Sequence, residues 1–279
     1  MCRLFGQIAP RSVSPANFLV DGEFSLLRQS SADPARLQKD GWGVGCFRGK
    51  EAVVIKSAKP AFGESAAFRA AAEAAWSTVS IAHIRAASNP RGLPERRILT
   101  PESAQPFTDG HVIFAHNGVL DIVEEVAESL GAGKKELASE NDSEVYFRQF
   151  LKFYRRTKEV LRSLVLCVEE DWAIWKKVRS RHPGKEGPFT SLNALIALPG
   201  RLYSFCHSLA SKPAGSLFDP SQPWTRMCFS RREDVLAVAS EKMDGGPWLP
   251  FRPPELLETA FEGGSLRLRR RTIAPEALA

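Results

Sequence analysis

A cysteine stands at position 2, in "MCRLFG". Removal of Met1 would leave a thiol and a free α-amine on one residue, joining nucleophile and proton acceptor without a second side chain. The amine's unperturbed pKa, roughly 7.7 to 8, suits base work near neutral pH. The competing reading of Cys2 is a small residue at the start of a strand. Three more polar stretches end apolar runs, where sites are commonly built: "IRAASNP" with Arg85, "AHNG" with Asn117 and Gly118, and "ENDSEVYF" with Asp142. Each also has an ordinary explanation. An arginine at a strand end suits a surface ion pair, Asn-Gly is a strong hairpin-turn signal, and Asp142 suits a place at or near a helix N-cap. His83 and His116 lie within apolar strands and read as satisfied interior histidines rather than catalytic ones.

The surrounding chain has 279 residues, 43% of them hydrophobic, enough for a proper core. No linker or repeat divides it, so one domain over 1–279 is expected. No apolar run approaches the roughly 18 residues that span a bilayer, and the N-terminus lacks a basic region followed by an apolar stretch. The expected location is therefore the cytoplasm, with no membrane partner. Cys2, Cys46, Cys167, Cys206 and Cys228 are scattered without a CxxC pair, which argues for reduced thiols and against structural zinc or any other metal site. The net charge of +6 is concentrated in "KKVRSRHPGK" and "LRLRRR". Both read as solvated faces, and no nucleic-acid partner is expected.

The elements that must position the polar stretches follow from periodicity. "CRLFGQIA" reads as a buried strand and "GWGVGCFRGKEAVVIKSA" as a hairpin turning at "RGKE". "GESAAFRAAAEAAW" is an Ala-rich helix. "STVSIAHIRAA" and "HVIFAHNGVL" read as strands, the second running into a turn at "HNG". Helices are expected over 121–130, 142–156 and 158–178, where Val145, Phe147, Phe150, Leu151 and Tyr154 recur at helical spacing. "SLNALIAL", "RLYSFCH", "RMCFSR", "DVLAVAS" and "GSLRLRRRTI" follow as strands, and "SLASKPAGSLFDPSQPW" as a surface loop. Strands, then helices, then strands suggest sheets covered by helices in layers rather than an alternating βαβ fold.

The ordered set Cys2, "DGWGVG", "AHIRAAS", "QPF", "FAHNG" and "ENDSE" resembles the class II glutamine amidotransferases, a branch of the N-terminal-nucleophile hydrolases. It is most similar to their small stand-alone subfamily of the ergothioneine pathway. The resemblance covers residues 2–150, with a weaker echo at "VASEKM", where the family tends to carry a Ser-Glu pair. The strand-rich remainder, 185–279, would complete the domain. The resemblance implies an α+β fold, a four-layer αββα sandwich of two antiparallel sheets between helices.

It also implies roles. Cys2 would attack the γ-carbonyl of glutamine or of a γ-glutamyl compound, its α-amine taking and returning the proton. The Asn117 amide and the Gly118 N–H would form the oxyanion hole. Arg85 would hold the substrate α-carboxylate and Asp142 the α-ammonium, with Ser88 beside them. "AASNPRGLPERRILTPESAQPF" would fold over the substrate as a lid. Gln105 stands where relatives carry His, and Ala86, Ser88 and Asn89 stand where synthase members carry Trp, Thr and His, so lid contacts and substrate range are expected to differ. No cofactor is implied. Outright hydrolysis is the expectation, because no synthase motif is present. The alternatives are a glutaminase subunit feeding ammonia to a separate synthase partner and a silent glutamine-binding regulatory protein. The sequence leaves a homodimer open.

Overall fold

Alternate residues of each central strand face opposite apolar layers, and that alternation stacks the chain. The computed structural model describes residues 2–89, 91–210, 214–232 and 234–273. In chain order these form β1 (Arg3–Val13), α1 (Leu26–Gln29), β2 (Trp42–Arg48), β3 (Glu51–Ser57), α2 (Ser65–Ala74) and β4 (Ser77–Ile84). Next come α3 (Glu95–Ile98), β5 (Phe107–Thr108), β6 (Ile113–Asn117), α4 (Val123–Ser129), α5 (Asp142–Thr157) and α6 (Val160–Val178). The chain then continues as β7 (Asn193–Leu198), β8 (Arg201–Cys206), β9 (Cys228–Arg231), β10 (Leu236–Ala239), β11 (Leu249–Pro250), β12 (Glu255–Glu262) and β13 (Ser265–Thr272).

Two antiparallel sheets result, in the orders β11-β9-β10-β1-β4-β2-β3 and β13-β12-β8-β7-β6-β5. Leu4 and Ile8 of β1, Val79 and Ile81 of β4, Ile113 and Ala115 of β6, and Leu195 and Ala197 of β7 meet between the sheets. Their neighbours point the other way. Phe5, Ala82 and Ile84 pack with Phe68, Ala71 and Ala72 of α2. Phe114, Ala194 and Ile196 pack with Phe147 and Phe150 of α5 and Leu164 and Val168 of α6. The three apolar seams make four layers, helix, sheet, sheet, helix, as expected.

The hairpin forms at "RGKE", with Arg48 opposite Glu51 and Gly49 at φ +63, and the four long helices form where periodicity places them. β12 was not expected. Its residues are buried almost without alternation, and two of the buried ones are polar, Glu255 and Thr259. Glu255 is held by Arg270 at 2.5 Å and by the Arg252 N–H at 2.8 Å, so a charged residue sits where a strand pattern calls for an apolar one. The basic strand β13 lies at the edge of its sheet with Arg267, Arg269 and Arg271 exposed, where charge discourages edge-to-edge pairing. No helix among the described residues is long and apolar enough to cross a membrane.

Between α5 and α6, Gln149 Nε2 donates to the fully buried Asp171 Oδ1 at 2.8 Å. Burial raises the Asp171 carboxyl from 3.8 to about 8. A folded pKa above the unfolded one means that the folded state holds the proton more tightly. The stability Asp171 contributes is thus complete below pH 3.8 and is lost as pH rises toward about 8. Asp171→Asn keeps a neutral acceptor for Gln149. It is expected to raise stability at pH 7 by on the order of 2 to 4 kcal/mol and to change it little at pH 4. Denaturant melts at both pH values check this, and equal shifts at the two would contradict it.

Candidate active site

Antiparallel register brings the first pair of candidate residues together. Arg3 lies opposite Ile84, so Cys2, just before β1, and Arg85, just after β4, end up side by side at one end of the seven-stranded sheet. The backbone of Arg85 is fixed by bonds to Gly41 O (2.8 Å) and from Asp40 N (3.0 Å), and the Asp40 carboxylate accepts the Ala87 N–H at 2.8 Å. From the second sheet, β6 delivers Asn117 to the same end, and α5 begins there with Asp142. These residues line a cavity of about 190 Å³ together with Gly118 and Ser88. The structure thus gathers all six residues singled out by sequence. It adds Gln105, Val119, Asn141, Ser143 and Trp224 to the walls.

Cys2 is half-buried, and its Sγ donates to Ala86 O at 3.5 Å. Burial pushes the thiol above its ordinary value, against nearby positive charge that includes Arg85. The residue therefore rests as a thiol at neutral pH, and attack requires a base. Arg85 is buried, and its Nη1 donates to Ile98 O (2.6 Å) and Ser103 Oγ (2.9 Å). Its fork thereby holds the segment that follows it, and Nε and Nη2 have no acceptor among the described residues. Ser88 sits exposed at the cavity rim.

The Asn117 side-chain nitrogen is buried and has no hydrogen-bond partner among the described residues. A buried amide without an acceptor costs about 1 to 3 kcal/mol, and such groups point to a functional demand. Gly118 is not the hairpin turn expected of "HNG". Its φ is not left-handed, and the chain runs on so that Leu120 bridges Phe189. A Cβ on Gly118 would lie 1.8 Å from the Ser191 carbonyl oxygen. Close backbone approach, rather than a turn, requires glycine here.

Asn141, not Asp142, caps α5: its Oδ1 accepts from Ser143 N at 3.0 Å, and its Nδ2 donates to Ser103 O at 2.7 Å. Asp142 is the first helical residue, where the helix dipole favours a carboxylate. Its Oδ2 accepts the Leu120 N–H at 2.9 Å, which pins the chain just past Gly118.

The interior histidines are neutral. His116 Nε2 lies 2.9 Å from the Ser191 carbonyl, which can only accept, so Nε2 carries the proton and Nδ1 accepts from Ser143 Oγ at 2.9 Å. Burial lowers its pKa. His83 is buried, with neither ring nitrogen bonded among the described residues, and burial holds its pKa well below the usual value. The buried Gln105 side chain has a defined task. It accepts from His116 N (2.6 Å) and donates to His116 O (3.1 Å), extending the edge of β6 as a strand would.

The expected surface loop over 208–224 is partly internal: Ser216 and Gln222 are buried, and Trp224 reaches the cavity. Residues 211–213 of it lie outside the described residues. All five cysteines are free, and among the described residues no cluster of His, Cys, Asp and Glu is placed to hold a metal ion.

The gamma-glutamyl-hercynylcysteine sulfoxide hydrolase of Mycobacterium tuberculosis is 37% identical over 126 residues, 43% of this chain and 50% of the relative. That of Mycolicibacterium smegmatis is 36% identical over 129 residues, 43% of this chain and 52% of the relative. The chain thus spans about half the length of the curated relatives it matches. Solved structures share the fold, two of them as follows. A glutamine aminotransferase class-II domain protein from Silicibacter pomeroyi has a TM-score of 0.65 at 19% identity, covering 98% of this chain and 100% of that one. The glutamine phosphoribosylpyrophosphate amidotransferase of B. subtilis has a TM-score of 0.62 at 15% identity, covering 96% of this chain and 49% of that one. The four layers are those of the N-terminal-nucleophile hydrolases. The sequence profile of the glutamine amidotransferases class-II matches residues 1–206, most of the chain. With that match, the chain belongs to the class II glutamine amidotransferases.

Proposed function

We propose that the protein is an amidohydrolase that cleaves the γ-amide of glutamine or of a γ-glutamyl compound through a thioester on Cys2. One observation carries the reading: the Asn117 amide donor, buried and without a partner among the described residues, shares its cavity with the half-buried Cys2 thiol. A donor kept free beside a nucleophile is what a developing oxyanion needs.

With Met1 removed, the α-amine of Cys2 takes the thiol proton and the sulfur attacks the γ-carbonyl carbon. The carbonyl oxygen becomes an oxyanion held by Asn117 Nδ2–H and the Gly118 N–H. Collapse breaks the C–N bond, and the α-ammonium returns its proton to the departing amine. Water, deprotonated by the same amine, then releases glutamate and free thiol. Arg85 would receive the α-carboxylate on Nε and Nη2, the nitrogens its fork leaves uncommitted. Asp142 would face the α-ammonium, and Ser88 would contact the substrate at the rim. The chemistry drawn here uses no cofactor. The names of the mycobacterial relatives favour a γ-glutamyl compound over free glutamine and outright hydrolysis over ammonia transfer to a partner.

The test is glutamate release from glutamine and from a panel of γ-glutamyl amides of increasing amine size. Cleavage of at least one, with the larger amides preferred, is the expected result. Release from none overturns the proposal.

A further inference from the structure

Residue 2 lies outside β1, and once Met1 is gone it hangs on a single peptide bond, the situation in which chain ends fray. Its thiol and amine must nevertheless both stay aimed at one carbonyl. The hold on it comes from the next residue. Arg3 Nη1 donates to the Cys2 carbonyl at 3.2 Å, and Arg3 Nη2 lies 3.1 Å from Glu241 Oε1. The two side chains are 2% and 1% exposed. Both Glu241 oxygens also lie 2.9 Å from the Leu217 N–H. Beside them, Ser240 Oγ accepts the Leu4 N–H, and Ser240 N donates to Leu4 O, each at 3.0 Å.

We propose that Arg3 and Glu241 are positioning residues that clamp Cys2 through its carbonyl and tie it to the 214–226 loop, which carries the cavity wall Trp224. This rests on the reading of Cys2 as nucleophile given above. Two points favour a positioning role over simple support of the fold. Buried ion pairs give little net stability compared with well-packed apolar residues of the same volume, so stability alone does not call for charges here. The guanidinium is also divided between its carboxylate partner and the backbone of the reacting residue. Fixing that carbonyl fixes the peptide plane from which the Cys2 thiol and amine both project.

The loop side of the clamp is continuous. Arg36 Nη1 donates to Gly215 O at 3.0 Å, Ser216 N donates to Gln222 O at 2.8 Å, and Gln222 Nε2 reaches Arg226 O at 2.7 Å. Glu241 thus joins the nucleophile's strand to the loop that closes one side of the cavity.

The experiment compares wild type, Arg3→Lys, Glu241→Gln and the double variant Arg3→Met/Glu241→Leu. Each is tested for Tm and for kcat and KM on a γ-glutamyl amide that wild type cleaves. The double variant removes both charges together and leaves neither buried and unpaired, so it is expected to stay folded, with Tm lowered only by the loss of hydrogen bonds to the Leu217 N–H and the Cys2 carbonyl. Its kcat is expected to fall about 10- to 100-fold with KM changed less than about threefold, the signature of a misplaced reacting group. Arg3→Lys keeps the charge but not the fork, and is expected to recover part of that loss. A double variant with wild-type kcat would overturn the clamp while leaving the proposed hydrolysis standing. Failure of wild type to cleave any γ-glutamyl amide would overturn both.

Discussion

Cys2→Ala is expected to abolish glutamate release, with a loss of at least about 10⁴-fold in kcat, while the protein stays folded and melts near wild type. Removing the sulfur leaves nothing to form the thioester, and the residue lies outside the hydrogen-bonded strands, so the fold loses little. The other thiols supply the contrast. Cys206 and Cys228 are buried, with their thiols pushed up to about 12 by burial, so they remain protonated and inert at neutral pH. Alanine at either position is expected to affect melting rather than rate. A Cys2→Ala protein that retained activity would remove the nucleophile from the account, and steady-state assay with purified variants decides it.

Asn117→Ala is expected to lower kcat about 10²- to 10³-fold with little change in KM, because the amide donates to an oxygen that becomes charged only in the transition state. Stability separates this role from a structural one. If Asn117 served the fold, its loss would lower Tm. Its Nδ2 is instead buried without a partner among the described residues, so deleting it removes an uncompensated polar group. Tm is expected to hold or rise while the rate collapses. A drop in Tm accompanied by a proportionate, modest loss of rate would favour the structural role.

Much of this arrangement is legible before the chain is folded, for a physical reason. Cys2, Arg85, Asn117 and Asp142 are polar residues at the ends of apolar periodic segments, and antiparallel pairing brings such ends together. The αββα layering is less directly legible. Period-two alternation shows that each strand has two faces, and the order of elements suggests helices laid over sheets, but only the resemblance puts two sheets face to face.

What escaped the sequence did so where a local signal was outweighed by tertiary contact. "HNG" carries a turn signature, yet the Ser191 carbonyl occupies the space beside Gly118, and the chain bends there and runs on to bridge Phe189 through Leu120. Asp142 stands next to the cap, as its capping signature allows, but nothing local shows that Asn141 takes the cap itself or that the Asp142 carboxylate, besides accepting the Ser143 N–H, reaches across to tether Leu120. Trp224 belongs to a Pro-rich polar stretch with no period, and no sequence signal aims it at the cavity. The "VASEKM" echo had no assigned task until the register of β1 with β10 set Ser240 and Glu241 beside Leu4 and Arg3.

During turnover, a chain beginning at Cys2 is expected to carry the substrate's γ-glutamyl group on that residue. Acid-quenched mass spectrometry of the protein during turnover of a γ-glutamyl amide tests it most directly. The expected species lacks Met1 and carries one γ-glutamyl group, mapping to the peptide that starts at Cys2 and absent from Cys2→Ala. Full turnover by protein that retains Met1, or a γ-glutamyl group mapped to any other residue, would contradict it.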